Sequence, residues 1–155
     1  SLIGTSADDV LDFSAITLTG IARVDAGAGN DFVRGSAGAD TIVMGSGNDF
    51  FNGGDGDDVF LAGSNAGSDS IVAGAGYDRV VATAANVGIV VTGFELSGPV
   101  RLEAIESGGF AGVFVTGGAL ADFLDLSEVA LVGIQSIRGA AGNDVIIGSS
   151  GDDRI

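Results

Sequence analysis

Aspartate returns at one fixed place in a nine-residue phrase. It is Asp31 in AGAGNDFVR (26–34), Asp40 in GSAGADTIV (35–43), Asp49 in MGSGNDFFN (44–52) and Asp58 in GGDGDDVFL (53–61). It comes back as Asp78 in AGAGYDRVV (73–81), Asp144 in GAAGNDVII (139–147) and Asp153 in GSSGDDRI (148–155). A longer unit, AGSNAGSDSIV (62–72), supplies Asp69. The shared form is Gly-Gly-x-Gly-x-Asp-x-apolar-x, with small residues sometimes in place of glycine. Glycines at such spacing allow a sharp turn through φ > 0 and leave backbone carbonyls free to point at an ion. A hard cation such as Ca²⁺ takes about six to eight oxygens at roughly 2.3–2.6 Å. Two stacked turns can offer carbonyls, and one aspartate from each adds charge. The chain has 17 Asp against 4 Glu, and no Glu lies in a well-formed unit. That bias suits a tight loop in which the longer carboxylate would overshoot.

Something must hold these turns in line. Positions seven to nine of each unit read as a three-residue strand whose middle side chain faces inward, since alternation at period two marks a strand with one buried face. Val33, Ile42, Phe51, Phe60, Ile71, Val80 and Ile146 fill that slot, with Leu11 and Leu124 in looser copies. Each unit is half a coil, so it stacks on its second neighbour. The expected fold is all-β, a parallel β-roll or β-helix solenoid with metal in its turns. The 28 glycines weigh against helices.

The phased units resemble the repeats-in-toxin family of haemolysin-type calcium-binding sequences, closely over about 26–81 and 139–155. The resemblance implies several Ca²⁺ ions held between stacked turns. Asp31 would pair with Asp49, Asp40 with Asp58, and Asp58 with Asp78. Gly27, Gly29, Gly45, Gly47, Gly54, Gly56, Gly74 and Gly76 would shape the cradles. The unit at 62–72 carries two extra residues, which leaves a pairing of Asp49 with Asp69 open. Asp144 and Asp153 sit in good units, but no later unit stacks on them. Asp9 and Asp122 hold the aspartate slot of degenerate units poor in glycine, and could be ligands or turn caps. The family also implies a secreted or cell-surface bacterial protein exported by a one-step route.

Composition narrows the function. Net charge is −15, with six Arg and no Lys, which excludes nucleic acid and argues against anionic membrane surfaces. No apolar run approaches bilayer length. Without His, Cys or Lys there is no Ser-His-Asp or Cys-His chemistry, Schiff-base lysine or ordinary zinc site. Two carboxylates suffice for glycoside chemistry, yet the calcium motif already accounts for the Asp. Glu95, Glu103 and Glu106 with Arg101 form the one charged cluster outside the motif, expected as a solvated strand face with an ion pair. The expected function is a non-enzymatic calcium-binding structural module, of adhesin or surface-layer type. Its alternatives are a subunit that self-associates end to end and, behind it, a β-helical polysaccharide enzyme or glycan binder, disfavoured by the absence of Trp and the single Tyr77.

A second repeat lies above the first. Residues 4–42 align without gaps to 117–155, an offset of 113 residues, with 17 of 39 positions identical. The chain therefore divides into lead-in strands (1–25), the calcium roll (26–81), a metal-poor solenoid segment (82–116) and the start of a second long copy (117–155). Starting and stopping mid-period points to a piece of a longer tandem array. Short strands are expected near 10–13, 16–18 and 21–25, and at GIVV, FEL, VRLEAI and GVFV, with Pro99 in a turn.

Overall fold

An inward apolar residue every nine positions can be buried only if successive half-coils face each other and each strand hydrogen-bonds to the one a full coil away. The computed structural model, which describes residues 1–91, 93–94 and 101–155, has this arrangement. Every strand pairing is parallel, and no helix occurs among the described residues. One sheet runs Leu2–Ile3, Val24–Asp25, Thr41–Val43, Val59–Ala62, Arg79–Ala82, Ala104–Glu106, Ala130–Val132. Facing it, a second runs Val10–Asp12, Phe32–Arg34, Phe50–Asp55, Ser70–Ala75, Gly93–Phe94.

The register follows the nonapeptide. Val33 lies beside Phe51 and Ile42 beside Phe60, each two units further on. Phe51 then pairs with Ile71 and Phe60 with Val80. The two extra residues of 62–72 therefore leave the ladder intact. Val33, Ile42, Phe51, Phe60, Ile71, Val80 and Leu124 are buried, while Leu11 and Ile146 pack partly buried against them. Phe51 and Phe60 meet across the two sheets, ring centroids 6.3 Å apart.

Past the last close repeat, the coil gains a third side. Gly88–Val90, Phe114–Thr116 and Ser136–Arg138 form another sheet, and Phe123–Asp125 pairs with Val145–Ile147 in a fourth. Val87, Ile89, Val91, Leu102, Ile105, Val113 and Val115 fill this stretch. The expected strand at GIVV thus appears in place as Gly88–Val90, and those at VRLEAI and GVFV appear shifted towards the C-terminus, as Ala104–Glu106 and Phe114–Thr116. Glu95 and Pro99 lie outside the described residues.

One expected strand fails. Residues 16–18 lie in no sheet, for want of a strand beside them; before them Asp12 Oδ1 accepts from the backbone N–H (2.9 Å) and hydroxyl (2.7 Å) of Ser14 and turns the chain, and Ile16 N–H closes back on Phe13 O (3.0 Å). The same Asx turn recurs 113 residues later, where Asp125 Oδ1 takes both bonds from Ser127. Leu2 pairs with Val24 as Val115 pairs with Ile137, and Val10 with Phe32 as Phe123 with Val145. Segments that align in sequence thus fold in the same register.

Candidate metal centre

The turns lie at the two edges where the chain crosses between the facing sheets. Gly27, Gly29, Gly45, Gly47, Gly54, Gly56, Gly74 and Gly76 all have φ between 78° and 147°. At Gly47 the need is double: φ is 137°, and a Cβ would run into the carbonyl oxygen of Gly29 in the turn below. Gly74 stands in the same way against the Gly54 carbonyl. Consecutive turns on an edge are nested so closely that only hydrogen fits between them.

Along each edge the aspartates form a ladder. Asp31 N–H donates to Asp49 Oδ1 at 2.7 Å, and Asp49 N–H to Asp69 Oδ1 at 3.0 Å. On the opposite edge Asp40 N–H donates to Asp58 Oδ1 and Asp58 N–H to Asp78 Oδ1, both at 2.8 Å. Asp9 N–H reaches Asp31 and Asp122 N–H reaches Asp144 in the same manner. All four sequence pairings are thus brought together, including the open one, Asp49 with Asp69. Asp153 is not joined to another turn: it is exposed and accepts from Ser149 Oγ of its own unit.

In the ladder Asp31, Asp49, Asp58, Asp69, Asp78 and Asp144 each accept through Oδ1, and the other oxygen, Oδ2, separates two kinds of turn. In the degenerate units it caps its own turn: Asp9 Oδ2 accepts from Thr5 N–H and Oγ–H, and Asp122 Oδ2 from Gly118 N–H. Asp40 does likewise, accepting from Ser36 N–H at 2.6 Å; Gly38 in its unit is not in the left-handed region. In the glycine-rich turns, Oδ2 of Asp31, Asp49, Asp58 and Asp78 is buried with no hydrogen-bond partner. Leaving a buried carboxylate oxygen unpaired is costly.

The titration behaviour reports the same cost. Burial raises Asp58 to about 7; the Asp40 N–H bond opposes the rise, and the charges of Asp78, Asp40 and Asp57 add to it. Burial likewise raises Asp69 to about 7, against the bond from Asp49 N–H and with the Asp49 charge. Asp49 and Asp78 are also raised, burial again leading. Among the described residues no three acidic, His or Cys side chains converge on a point. A cation here has to draw on backbone carbonyls as well as carboxylates. Hard oxygen donors, nested turns and unpaired carboxylate oxygens fit Ca²⁺.

A family model described as the RTX calcium-binding nonapeptide repeat matches four times, at 17–50, 45–66, 63–86 and 132–155, together more than half of the chain. The chain belongs to the RTX calcium-binding nonapeptide repeat family. No curated protein and no solved structure matches it. RTX nonapeptides bind calcium in their turns, so this is a calcium-binding repeat module in a family that is typically structural and non-catalytic.

Sequence reasoning missed Glu103. It was expected on a solvated strand face, yet its side chain is only 17% exposed and its Oε2 accepts from Asp78 N–H at 2.7 Å. The signal was present: Glu103 stands two residues before the buried Ile105, as Asp58 stands two before Phe60.

Proposed function

We propose that this chain is a structural segment of a secreted or cell-surface bacterial repeat protein, of adhesin or surface-layer type, whose roll closes when Ca²⁺ binds outside the cell. The observation that carries it is the set of buried aspartate oxygens without partners. At neutral pH a metal-free roll would hold ionised carboxylates out of water and beside one another. Asp31, Asp49, Asp58, Asp69 and Asp78 are the ligands we assign, with carbonyls of the nested glycine turns. Asp40, Asp144 and Asp153 are weaker candidates, because Asp40 is capped by its own turn and the other two are more exposed. Extracellular modules bind Ca²⁺ at around 10⁻⁴–10⁻³ M, and an ion at 100 times its Kd adds about 2.7 kcal/mol per site.

The test is a thermal melt followed by circular dichroism across a calcium titration and in chelator. A melting temperature that climbs with Ca²⁺ supports the proposal, and one indifferent to chelator ends it.

End-to-end self-association is a second reading, favoured by one observation. Residues 114–138 repeat the pairing register of 1–25, so the unit can be stacked in series, within a chain or between chains. Light scattering in excess Ca²⁺ that reports only monomer at high concentration removes it.

A further inference from the structure

The edge that carries Asp40, Asp58 and Asp78 continues onto residues of a different type. Asp78 N–H donates to Glu103 Oε2, repeating the bond that Asp58 N–H makes to Asp78 one coil earlier. The sheet register agrees, since Ile105 lies beside Val80 as Val80 lies beside Phe60. Glu103 therefore holds the slot of the repeat aspartate. Two residues before it, where the repeats carry Gly56 and Gly76, stands Arg101. Its Nε lies 3.9 Å from Glu103 Oε1 and 3.7 Å from Glu128 Oε2. Glu128 belongs to the next coil, whose Ala130 pairs with Ala104. Between Arg101 and Glu103, Leu102 is fully buried, whereas Asp57 and Tyr77 at the matching place are exposed.

We propose that Arg101 is a tethered cation standing in for calcium at this point of the column, so that the coils over 101–138 hold together without the ion. The inference rests on the calcium reading of the roll. A guanidinium is charged at any physiological pH and can bridge two carboxylates. It links stacked coils through acidic groups, as the metal does in the glycine-rich turns. Being part of the chain, it acts at any calcium concentration. The coils over 101–138 are thereby exempt from the calcium response of the roll before them.

Amide hydrogen exchange on the whole chain, in Ca²⁺ and in chelator, tests this. In the unmodified protein, chelator should strip protection from 50–55 and 70–75 while 104–106 and 130–132 stay protected. Arg101→Met keeps the aliphatic stem and removes the charge; it should speed exchange of 104–106 and 130–132 in chelator by roughly tenfold, because Glu103 is left uncompensated. Arg101→Lys should restore most of that protection, which a purely space-filling role would not. If Arg101→Met fails to fold, Glu128→Gln at the exposed partner should give about a threefold increase. Chelator-state protection unchanged in Arg101→Met, or in Glu128→Gln where that variant stands in, overturns the proposal. So does loss of 104–106 together with the roll in the unmodified protein. Failure of the calcium reading looks different: 50–55 and 70–75 would be equally protected with and without chelator.

Discussion

A buried aspartate is a liability until something positive stands beside it, and the repeats carry that liability at Asp31, Asp49, Asp58 and Asp78. Asp58 is fully buried, with one oxygen bonded to Asp40 N–H and the other without a hydrogen-bond partner. Asp58→Asn keeps the shape and the ladder acceptor while removing the charge. In chelator at pH 7 this variant should melt higher than the parent, and in saturating Ca²⁺ lower, by about one site's contribution of 2.7 kcal/mol. Paired melts in the two buffers check both signs. The pH dependence follows from the same groups. Asp58 and Asp69 are raised from 3.8 to about 7, so the folded state binds more protons than the unfolded chain between those values. Their contribution to metal-free stability is therefore full below 3.8 and is lost as pH rises through about 7. A chelator melt at pH 5 should exceed one at pH 7, and Ca²⁺ should reverse the order. At this scale the sequence was most legible, because phase alone marked the aspartates. What it hid was the fate of each second oxygen. Asp40 and Asp58 look alike as text, yet Ser36 N–H closes on one and nothing closes on the other.

At the scale of a strand, one residue's shift changes everything, since neighbours face opposite sides of the sheet. Phe50 and Phe51 show this. Phe51 is fully buried against Phe60, while Phe50 lies on the outer face, stacked on Phe32 with ring centroids 5.3 Å apart. Phe51→Ala should cost about 3–5 kcal/mol, as large-to-small core changes do. Phe50→Ala should cost nearer the 0.5–1.5 kcal/mol typical of an aromatic pair. Denaturant unfolding of both in Ca²⁺ measures the difference, and equal losses would place the inward face wrongly. The strands of the roll were readable because their period of nine gives each a partner two units away. The strand expected at 16–18 fails, because a strand exists only beside another. In the later copy Ala130–Val132, over the aligned stretch, does pair, with Ala104–Glu106. A sequence window carries the apolar pattern but not the neighbour.

Taken whole, the molecule carries a net charge of −15, and two physical accounts of its cation dependence compete. If the roll were held open only by diffuse repulsion, any salt would close it. At 1 M ionic strength the screening length is about 3 Å, enough to silence exposed charges such as Asp55 and Asp57. The aspartates that matter are buried at 0–4% exposure in Asp31, Asp49, Asp58, Asp69 and Asp78, where mobile ions do not follow. Mg²⁺ has the charge of Ca²⁺ but demands near-octahedral geometry at about 2.0–2.1 Å and keeps its waters. Turns nested so tightly that a Cβ at Gly47 or Gly67 would meet a carbonyl of the turn below leave little room for a hydrated ion. Neither 1 M NaCl nor Mg²⁺ at a concentration matched to saturating Ca²⁺ should therefore restore the β signal that chelator removes, and Ca²⁺ should restore it alone. Circular dichroism of the chelated chain under the three conditions decides between the accounts. Recovery in NaCl would make the roll a polyanion relieved by screening, with no ion seated in its turns.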